Sequence, residues 1–399
     1  MVLRHESLMS SRAVRTVLPL ASVTCTSMLA MDFYLPAVPT LQTWFGIGIS
    51  GAQATVAVFL AGLAASQLVW AEVMSRLGPR QAVRLGVWLL ILASISAVFA
   101  PNIETVIALR AIQGVAAGAA TVVAPSVVRA TLADADAVRG LAAIAMVEAL
   151  VPALGPVLGA ALLEWTDWRG TFVVLAIVTL AALPFAIRAT PRELPGLDRT
   201  IAASYRHILS NRRFTRLAVS HALSMGALLT FIASAPQLMI HALDLGVRHF
   251  AILQVVGVAA FMIFASQSGR ISARVGAPRA VQLGAVVQLC ASVTMLVLDR
   301  VVDVSFVVIA AFWFLFCAAL AVRGPSAFSE ALKLPASQLG RGSAIMVLLI
   351  LLAGAIGTQL VAPFMDGQSA SALLLGITVP CVISALLVVP YPHQPNEAL

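Results

Sequence analysis

The sequence predicts an all-α membrane protein with twelve transmembrane helices arranged as two six-helix pseudo-symmetric halves. Of its 399 residues, 60% are hydrophobic and only 11% are charged, and the mean hydropathy is +0.98. Soluble domains are roughly 45–50% apolar and about 25% charged, so a water-soluble fold is excluded. A helix that crosses a bilayer needs about 20 residues, so twelve of them leave room for loops and tails but for no sizeable soluble domain.

The individual helices are marked by twelve windows of about 20 apolar residues. Several windows contain Gly and Pro, which membrane helices tolerate because neighbouring helices satisfy the loosened backbone. The predicted spans are 14–36, 51–74, 81–100, 104–128, 139–164, 168–189, 216–240, 249–270, 278–298, 304–326, 342–365 and 369–389.

The orientation of the helices follows from the basic residues. If the amino terminus is inside, all but four of the 25 Lys and Arg residues fall in loops, tails and helix ends on the inner side. The outer loops hold Arg169, Arg248 and Arg300, and Arg110 lies within span 4. The positive-inside rule therefore predicts a multi-pass protein of the bacterial inner membrane with both termini in the cytoplasm.

Composition and motifs exclude several other classes of function. Membrane topology accounts for the net charge of +8, and no basic run is interleaved with aromatic residues as single-strand nucleic-acid binding would require. The four cysteines lie inside apolar runs at unrelated spacings, so neither a metal site nor a disulfide framework is indicated. Motifs for ATP binding or zinc-dependent hydrolysis are missing from the sequence, so we expect no enzyme and no ATP-driven transport.

The two halves share a short internal repeat. Arg76 and Gly78, after span 2, recur as Arg274 and Gly276 after span 8, and both offsets are 198 positions. This pattern is typical of two six-helix halves related by an axis along the membrane normal. The predicted division is a first half, 1–189, a cytoplasmic linker, 190–215, and a second half, 216–399.

Five short motifs follow one another at the ends and centres of the predicted spans. They are Asp32-Phe-Tyr-Leu-Pro-Ala in span 1, Arg110-Ala-Ile-Gln113-Gly114 in span 4, Pro152-x-x-Gly155-Pro156-x-x-Gly159 in span 5, Trp168-Arg169 with Phe172 in span 6, and Ser234-Ala-Pro236 in span 7. Together these residues resemble the major facilitator superfamily, and within it the Bcr/CflA-type branch of twelve-span drug:proton antiporters.

The resemblance covers about residues 14–390 and implies the major facilitator fold. The function that it implies is proton-coupled secondary active efflux of small amphipathic compounds by a monomer, with protons, the lipid bilayer and a small-molecule substrate as partners and with no cofactor. The alternative is a dedicated exporter of one endogenous metabolite such as a siderophore. Glu148 and Arg323 suit that alternative, because they add charges where the branch is usually apolar or small. As a structural element, Arg323 is expected at the inner membrane interface.

The inner loop after span 2 departs from the family pattern. Arg76, Gly78 and Arg80 match it, but Ser75 stands where the family usually has Asp. Because Ser75 carries no charge, the inner charge latch implied by the resemblance is expected to be weak. Glu72 either replaces the missing Asp or is only an interfacial acid. The candidate gating residues are therefore Glu72, Arg76, Gly78 and Arg80.

Three ionisable residues lie deep in predicted spans, where charge is expensive unless it is paired, hydrated or functional. Asp32 is either interfacial or, as the resemblance implies, a proton or substrate-cation site. Arg110 either hydrogen-bonds the backbone of other helices or is a fixed charge that tunes a carboxylate. Glu148 lies one turn before Pro152, where no structural role would offset the free-energy cost of a carboxylate. It is therefore either a proton site or a hydrated or paired acid. We assign proton coupling to Asp32, Arg110 and Glu148.

A transport function also requires a central cavity for the substrate. Five residues are candidates for its lining, although packing or lipid-facing roles suit each of them equally. They are Tyr34, Phe231, Gln237, Gln254 and Phe261.

Overall fold

The structure is a computed structural model, which describes residues 10–194, 205–302, 305–335, 338–365 and 370–389. Within these ranges it contains twelve helices long and apolar enough to cross a membrane, which confirms the predicted number. The predicted linker, 190–215, lies partly outside the described residues, and its described part includes a short helix, Tyr205–Ser210. The terminal residues 1–9 and 390–399, which we predicted to be cytoplasmic, are also outside the described ranges.

The twelve long helices are numbered here in chain order. They are α1 (Ser11–Asp32), α2 (Ile49–Leu77), α3 (Pro79–Val98), α4 (Ile103–Thr131), α5 (Asp134–Leu162), α6 (Trp168–Ala189), α7 (Arg212–Gln237), α8 (Val247–Val275), α9 (Ala277–Val301), α10 (Phe306–Ala331), α11 (Leu339–Val361) and α12 (Ser371–Val388). A further short helix, Thr40–Phe45, lies between α1 and α2.

The first helix ends at Asp32, earlier than the predicted end of span 1. A 3-10 turn over Leu35–Ala37 follows, and Pro36 lies inside that turn. Proline has no amide hydrogen and disfavours helical backbone in the residue before it, which accounts for the early end. Asp32 therefore lies at a helix terminus.

Helix packing repeats between the two halves. In the first half the packed pairs are α1–α4, α1–α5, α1–α6, α2–α4, α3–α4 and α3–α6, and in the second half they are α7–α10, α7–α11, α7–α12, α8–α10, α9–α10 and α9–α12. The loops of the internal repeat also agree, because Gly78 and Gly276 have φ angles of +82° and +87°. Side chains other than glycine rarely adopt such angles, so both loops need glycine for the turn from one helix into the next.

Small residues allow α2 and α4 to approach closely. A β-carbon at Gly114 would lie 2.1 Å from the carbonyl oxygen of Phe59, and one at Gly62 would lie 2.4 Å from that of Ala111. Membrane helices associate through such close packing, because lipid tails are as apolar as the helices themselves. The contact fixes Phe59 of α2 against the part of α4 that carries Arg110.

The halves meet where α2 packs on α11 and α5 packs on α8. Polar contacts join the halves at one end of the molecule, where α1, α5, α7 and α11 end and α2 and α8 begin. The contacts are Gln42 Nε2 to Gln237 Oε1 at 2.7 Å, Gln53 Nε2 to the Ala233 carbonyl oxygen at 3.3 Å, Gln359 Nε2 to Ser50 Oγ at 3.1 Å, and the ion pair of Arg248 with Glu164 at 2.7 Å. The structure is therefore closed at this end, which we call the closed end.

Candidate functional site

A cavity of about 320 Å³ lies between the two halves. Its walls come from the middle parts of α2, α4, α5, α7, α8, α10 and α11 and from the last turns of α1. The remaining helices, α3, α6, α9 and α12, do not contribute to the lining. This arrangement gives the cavity one wall from each half, so a movement of one half against the other would change its access.

Asp32 lies on the first-half wall of the cavity. The residue is 7% exposed, and no described residue forms a hydrogen bond or an ion pair with its carboxylate. Its position depends on α5, because a β-carbon at Gly155 would lie only 2.8 Å from the β-carbon of Asp32. Gly159 similarly faces the backbone of Phe33, because a β-carbon at Gly159 would lie 2.3 Å from the carbonyl oxygen of Phe33. The glycines of the span 5 motif thus seat the end of α1.

Glu148 lines the same wall from α5 and is half-buried. Within the described ranges its carboxylate has no hydrogen-bond or ion-pair partner. Glu148 precedes Gly155 by two helical turns, or about 10 Å along the helix axis. Since Asp32 packs at the level of Gly155, the two carboxylates are spread along the cavity wall. Pro152, which also lines the cavity, lies between these levels.

Arg110 is fully buried in the first half and does not line the cavity. Its Nη1 donates to the carbonyl oxygen of Ala30 at 2.7 Å and to Oε1 of Gln113 at 2.8 Å. The guanidinium lies 4.2 Å from the ring centroids of both Tyr34 and Phe59. Such contacts between a cation and two aromatic faces stabilise a charge away from water.

The structure thus places Arg110 on the backbone of α1, two residues before Asp32, and not in contact with a carboxylate of the described chain. Gln113 extends the link to α3, because its Nε2 donates to Ser94 Oγ at 2.9 Å. Among the alternatives for Arg110, the backbone contact is the one seen here. An effect of its charge on Asp32 would therefore have to act without direct contact.

The second-half wall is formed mainly by aromatic and aliphatic side chains. Trp313 of α10 lines the cavity, and its ring stacks on Phe231 with centroids 4.3 Å apart. A β-carbon at Gly257 would lie 2.1 Å from Trp313 Nε1, so α8 needs glycine there to admit the indole. Sequence reasoning missed Trp313. Its depth in α10 was the available signal, because tryptophan in membrane helices usually lies at the interfaces.

Two of the five predicted cavity residues, Gln254 and Phe261, line the cavity. Gln254 is 2% exposed, and its Oε1 has no hydrogen-bond partner within the described chain. The other three, Tyr34, Phe231 and Gln237, do not line it. Tyr34 donates to Thr55 Oγ1 at 2.9 Å inside the first half, Phe231 supports Trp313, and Gln237 belongs to the closed end.

Of the four inner-loop candidates, Arg76, Gly78 and Arg80 line a separate polar pocket of about 700 Å³, which shares no lining residue with the central cavity. Glu72 pairs with Arg76 one turn later on its own helix, so this contact does not connect different helices. Arg80 Nε donates to the carbonyl oxygen of Thr190 at 2.7 Å and ties the start of α3 to the end of α6. A β-carbon at Gly78 would lie 2.3 Å from the carbonyl oxygen of Arg192.

The expectation that Arg323 lies at the membrane interface is wrong. The residue is 1% exposed, and its guanidinium donates to Ser220 Oγ at 2.8 Å, Ser384 Oγ at 2.9 Å and Gln288 Oε1 at 3.2 Å. Gly284 of α9 allows this burial, because a β-carbon there would lie 2.6 Å from that of Arg323. Within the described ranges, Arg110 and Arg323 are thus both buried, and neither lines the central cavity.

Possible metal-ligating side chains do not cluster in the described part of the chain. Among the described residues, no group of three or more His, Cys, Asp or Glu side chains is placed to hold a metal ion. The polar groups of the central cavity are instead the two carboxylates and a few neutral side chains.

Among the described residues, twelve long apolar helices form two halves around a central cavity with two unpartnered carboxylates, an architecture typical of membrane transporters. The chain belongs to the Major Facilitator Superfamily, whose sequence pattern matches residues 20–358. With twelve candidate spans among its described residues, it is a multi-pass membrane protein.

Relatives of the chain include named resistance proteins. It is 28% identical over 275 residues to a chloramphenicol resistance protein of Pseudomonas aeruginosa, a match that spans 67% of this chain and 65% of that protein. It is 27% identical over 375 residues to the multidrug resistance protein MdtL of Shigella flexneri, with 92% and 93% of the two chains covered. The multidrug transporter MdfA of Yersinia pestis is 27% identical over 264 residues, with 64% of each chain covered.

Solved structures with the same fold include two transporters. A D-xylose-proton symporter superposes with a TM-score of 0.73 at 14% identity, covering 94% of this chain and 96% of that one. A POT peptide transporter superposes with a TM-score of 0.77 at 13% identity, covering 94% and 93%. At these identities the likeness establishes the fold alone.

Proposed function

We propose that this chain exports small amphipathic compounds across the bacterial inner membrane in exchange for protons, as a drug antiporter of the Bcr/CflA type. The observation that carries the proposal is the pair of carboxylates, Asp32 and Glu148, without partners on one wall of the cavity between the halves. A carboxyl group in such a setting needs a proton or a cation. The resistance proteins among the relatives support drug-like cargo.

The mechanism that we propose is alternating access. The halves, 1–189 and 216–399, rock about the cavity, joined by the linker 190–215 on the cytoplasmic side, in a chain that acts as a monomer. With the predicted orientation, the closed end is the outer end. It opens when the hydrogen bond between Gln42 and Gln237 and the other polar contacts of the closed end break. Protons and substrate need not be bound together, since they need only favour opposite states.

The candidate residues for proton coupling, helix packing and gating each have a role in this proposal. Asp32 and Glu148 exchange protons for substrate, and Arg110 holds the last turn of α1 in place. The helix motifs set the packing around these groups, through Gln113, Gly114, Pro152, Gly155, Pro156 and Gly159. The inner loop acts in gating, through Glu72, Arg76, Gly78 and Arg80.

The repulsion between the two carboxylates is weak enough for both to release their protons in one transport cycle. Two negative charges offset by about 10 Å, the helical rise from Glu148 to Gly155, repel by only about 2 kcal/mol at an effective dielectric constant of about 20. Both protons can therefore leave when positive charge from a substrate replaces them.

The alternative is an exporter of one endogenous metabolite such as a siderophore. Of the two added charges that suited it, Glu148 and Arg323, the second no longer supports it. Arg323 is buried between α7, α9, α10 and α12 and does not line the cavity, so it does not contact a substrate there. Glu148 remains as an added charge. A resistance profile across many unrelated drugs separates the two functions, because a dedicated exporter protects against few or none.

A proton-release measurement on the purified protein tests the proposal. In weakly buffered detergent solution, addition of a transported drug should release protons from the wild type. Release should disappear in the double variant Asp32→Asn, Glu148→Gln and should persist in Glu104→Gln, which removes an exposed acid at the start of α4. Drug binding without any proton release would overturn the proton coupling.

A further inference from the structure

The two cavity carboxylates form an unusual recognition feature because they lie on one wall at different depths. Asp32 packs at Gly155, and Glu148 lies two helical turns earlier on α5, about 10 Å away along the axis. Neither has a partner within the described chain. A ligand that neutralises both carboxylates in their ionised form must carry two positive charges at a comparable separation.

The wall opposite these carboxylates suits a flat apolar body. Trp313 presents its indole to the cavity, with Phe231 stacked behind it, and Phe261 lies nearby on α8. Aromatic faces attract both other rings and organic cations. The one buried amide on this side, Gln254, offers an oxygen that also favours a positively charged or N–H-bearing group.

The fixed cations of the interior do not oppose a positively charged ligand by direct contact. The guanidinium of Arg110 is covered by the ring of Phe59, which is itself a cavity residue. Arg323 is held by hydroxyl and amide groups away from the lining. The charges that line the cavity are therefore both negative.

We propose that the cavity selects elongated organic dications, with one positive charge at Asp32, the other at Glu148 and an aromatic body against Trp313. This inference rests on the proposed export function and specifies its substrate class. Exchange of such a dication for two protons moves no net charge, whereas exchange of a monocation for two protons moves one. The charge of the substrate therefore decides whether the membrane voltage drives its export.

Two matched compounds test the inference. N-methyl-4-phenylpyridinium and 1,1′-dimethyl-4,4′-bipyridinium have nearly the same size and shape, but the first carries one positive charge and the second carries two. Binding is measured with purified protein at mildly alkaline pH, and uptake is measured in inverted membrane vesicles with either the voltage or the pH gradient retained.

The wild type should bind the bipyridinium about tenfold more tightly than the phenylpyridinium, a difference of about 1.4 kcal/mol. Glu148→Gln should remove this preference, Glu148→Asp should keep most of it, and Glu104→Gln should bind both compounds as the wild type does. Wild-type uptake of the bipyridinium should follow the pH gradient and ignore the voltage.

Equal affinities of the wild type for the two compounds, no binding of either, or an unchanged preference in Glu148→Gln would overturn the inference. Proton-coupled export of other drugs would in that case leave the proposed function standing. If no drug releases protons from the wild type, the proposed function fails first. If Glu148→Gln does not fold, Glu148→Asp and the wild-type comparison still decide the outcome.

Discussion

Asp32 rests directly on Gly155, because the β-carbon that any other residue would carry at position 155 lies 2.8 Å from the β-carbon of Asp32. This contact joins the end of α1 to the C-terminal third of α5. It makes the position of one cavity carboxylate dependent on a glycine of the neighbouring helix.

The first prediction follows from that contact. Gly155→Ala should displace the end of α1 and strongly reduce transport, with an overpacking cost of about 1–3 kcal/mol. The control is Gly269→Ala on α8, where a β-carbon would meet nothing within 4 Å. Transport and thermal unfolding are measured for both variants. Equal transport in the two variants would show that the contact between Asp32 and Gly155 has no functional role.

A second prediction concerns the charge of Arg110. Arg110→Lys should retain part of the transport rate, because an ammonium group can still lie between the rings of Tyr34 and Phe59. Arg110→Met should lose transport, since its thioether neither carries charge nor donates to the Ala30 carbonyl. Drug export from intact cells is the measurement, with the exposed Arg270→Met as control. Identical activity of the Lys and Met variants would reduce Arg110 to a packing residue.

The two repeat glycines allow strain and collision to be measured separately. Gly276→Ala should cost about 1–3 kcal/mol, because its φ of +87° is unfavourable for alanine although its surroundings are open. Gly78→Ala should cost more, since it adds a collision with the Arg192 carbonyl oxygen to the same strain. Thermal unfolding of both variants in detergent checks the order. A larger loss for Gly276→Ala would contradict the packing of the inner loop.

Trp313 should contribute to substrate affinity. Trp313→Ala should raise KM for an aromatic drug by about two- to tenfold, because an aromatic contact is worth about 0.5–1.5 kcal/mol beyond its buried area. Leu315→Ala, on an exposed part of the same helix, is the control and should leave KM unchanged. An effect of Trp313→Ala on kcat alone would argue against direct contact with the substrate.

The energy source for monocation export provides the fifth prediction. Two protons in and one monocation out move one net charge, which gains about 2.3 kcal/mol per 100 mV. Wild-type vesicles with the pH gradient collapsed and the voltage retained should therefore still export a monocation. Glu148→Gln should lose this voltage-driven export, because one proton for one monocation is electroneutral. A wild type that fails to export under voltage alone would rule out two coupled carboxylates.

Several features of the candidate site could be predicted from the sequence, and others could not. The span 5 motif singled out Gly155 and Gly159, and the structure places both against the end of α1. Asp32 and Glu148 stood out because charge is rare in membrane helices. The position of Tyr34 could not be predicted in this way, since an aromatic side chain is equally acceptable in contact with lipid, in the helix interior and at a cavity.

The sequence by itself determined the number and order of the membrane helices, because hydrophobic length is a local property of the chain. It also located the two repeat glycines and the deep ionisable residues. Only the tertiary structure decided which of these groups share a space. In a bilayer both the lipid-facing and the packed sides of a helix are apolar, so hydrophobic periodicity does not indicate which side turns inward. The burial of Arg323 and the meeting of Asp32, Glu148 and Trp313 around one cavity therefore depend on how the twelve helices pack.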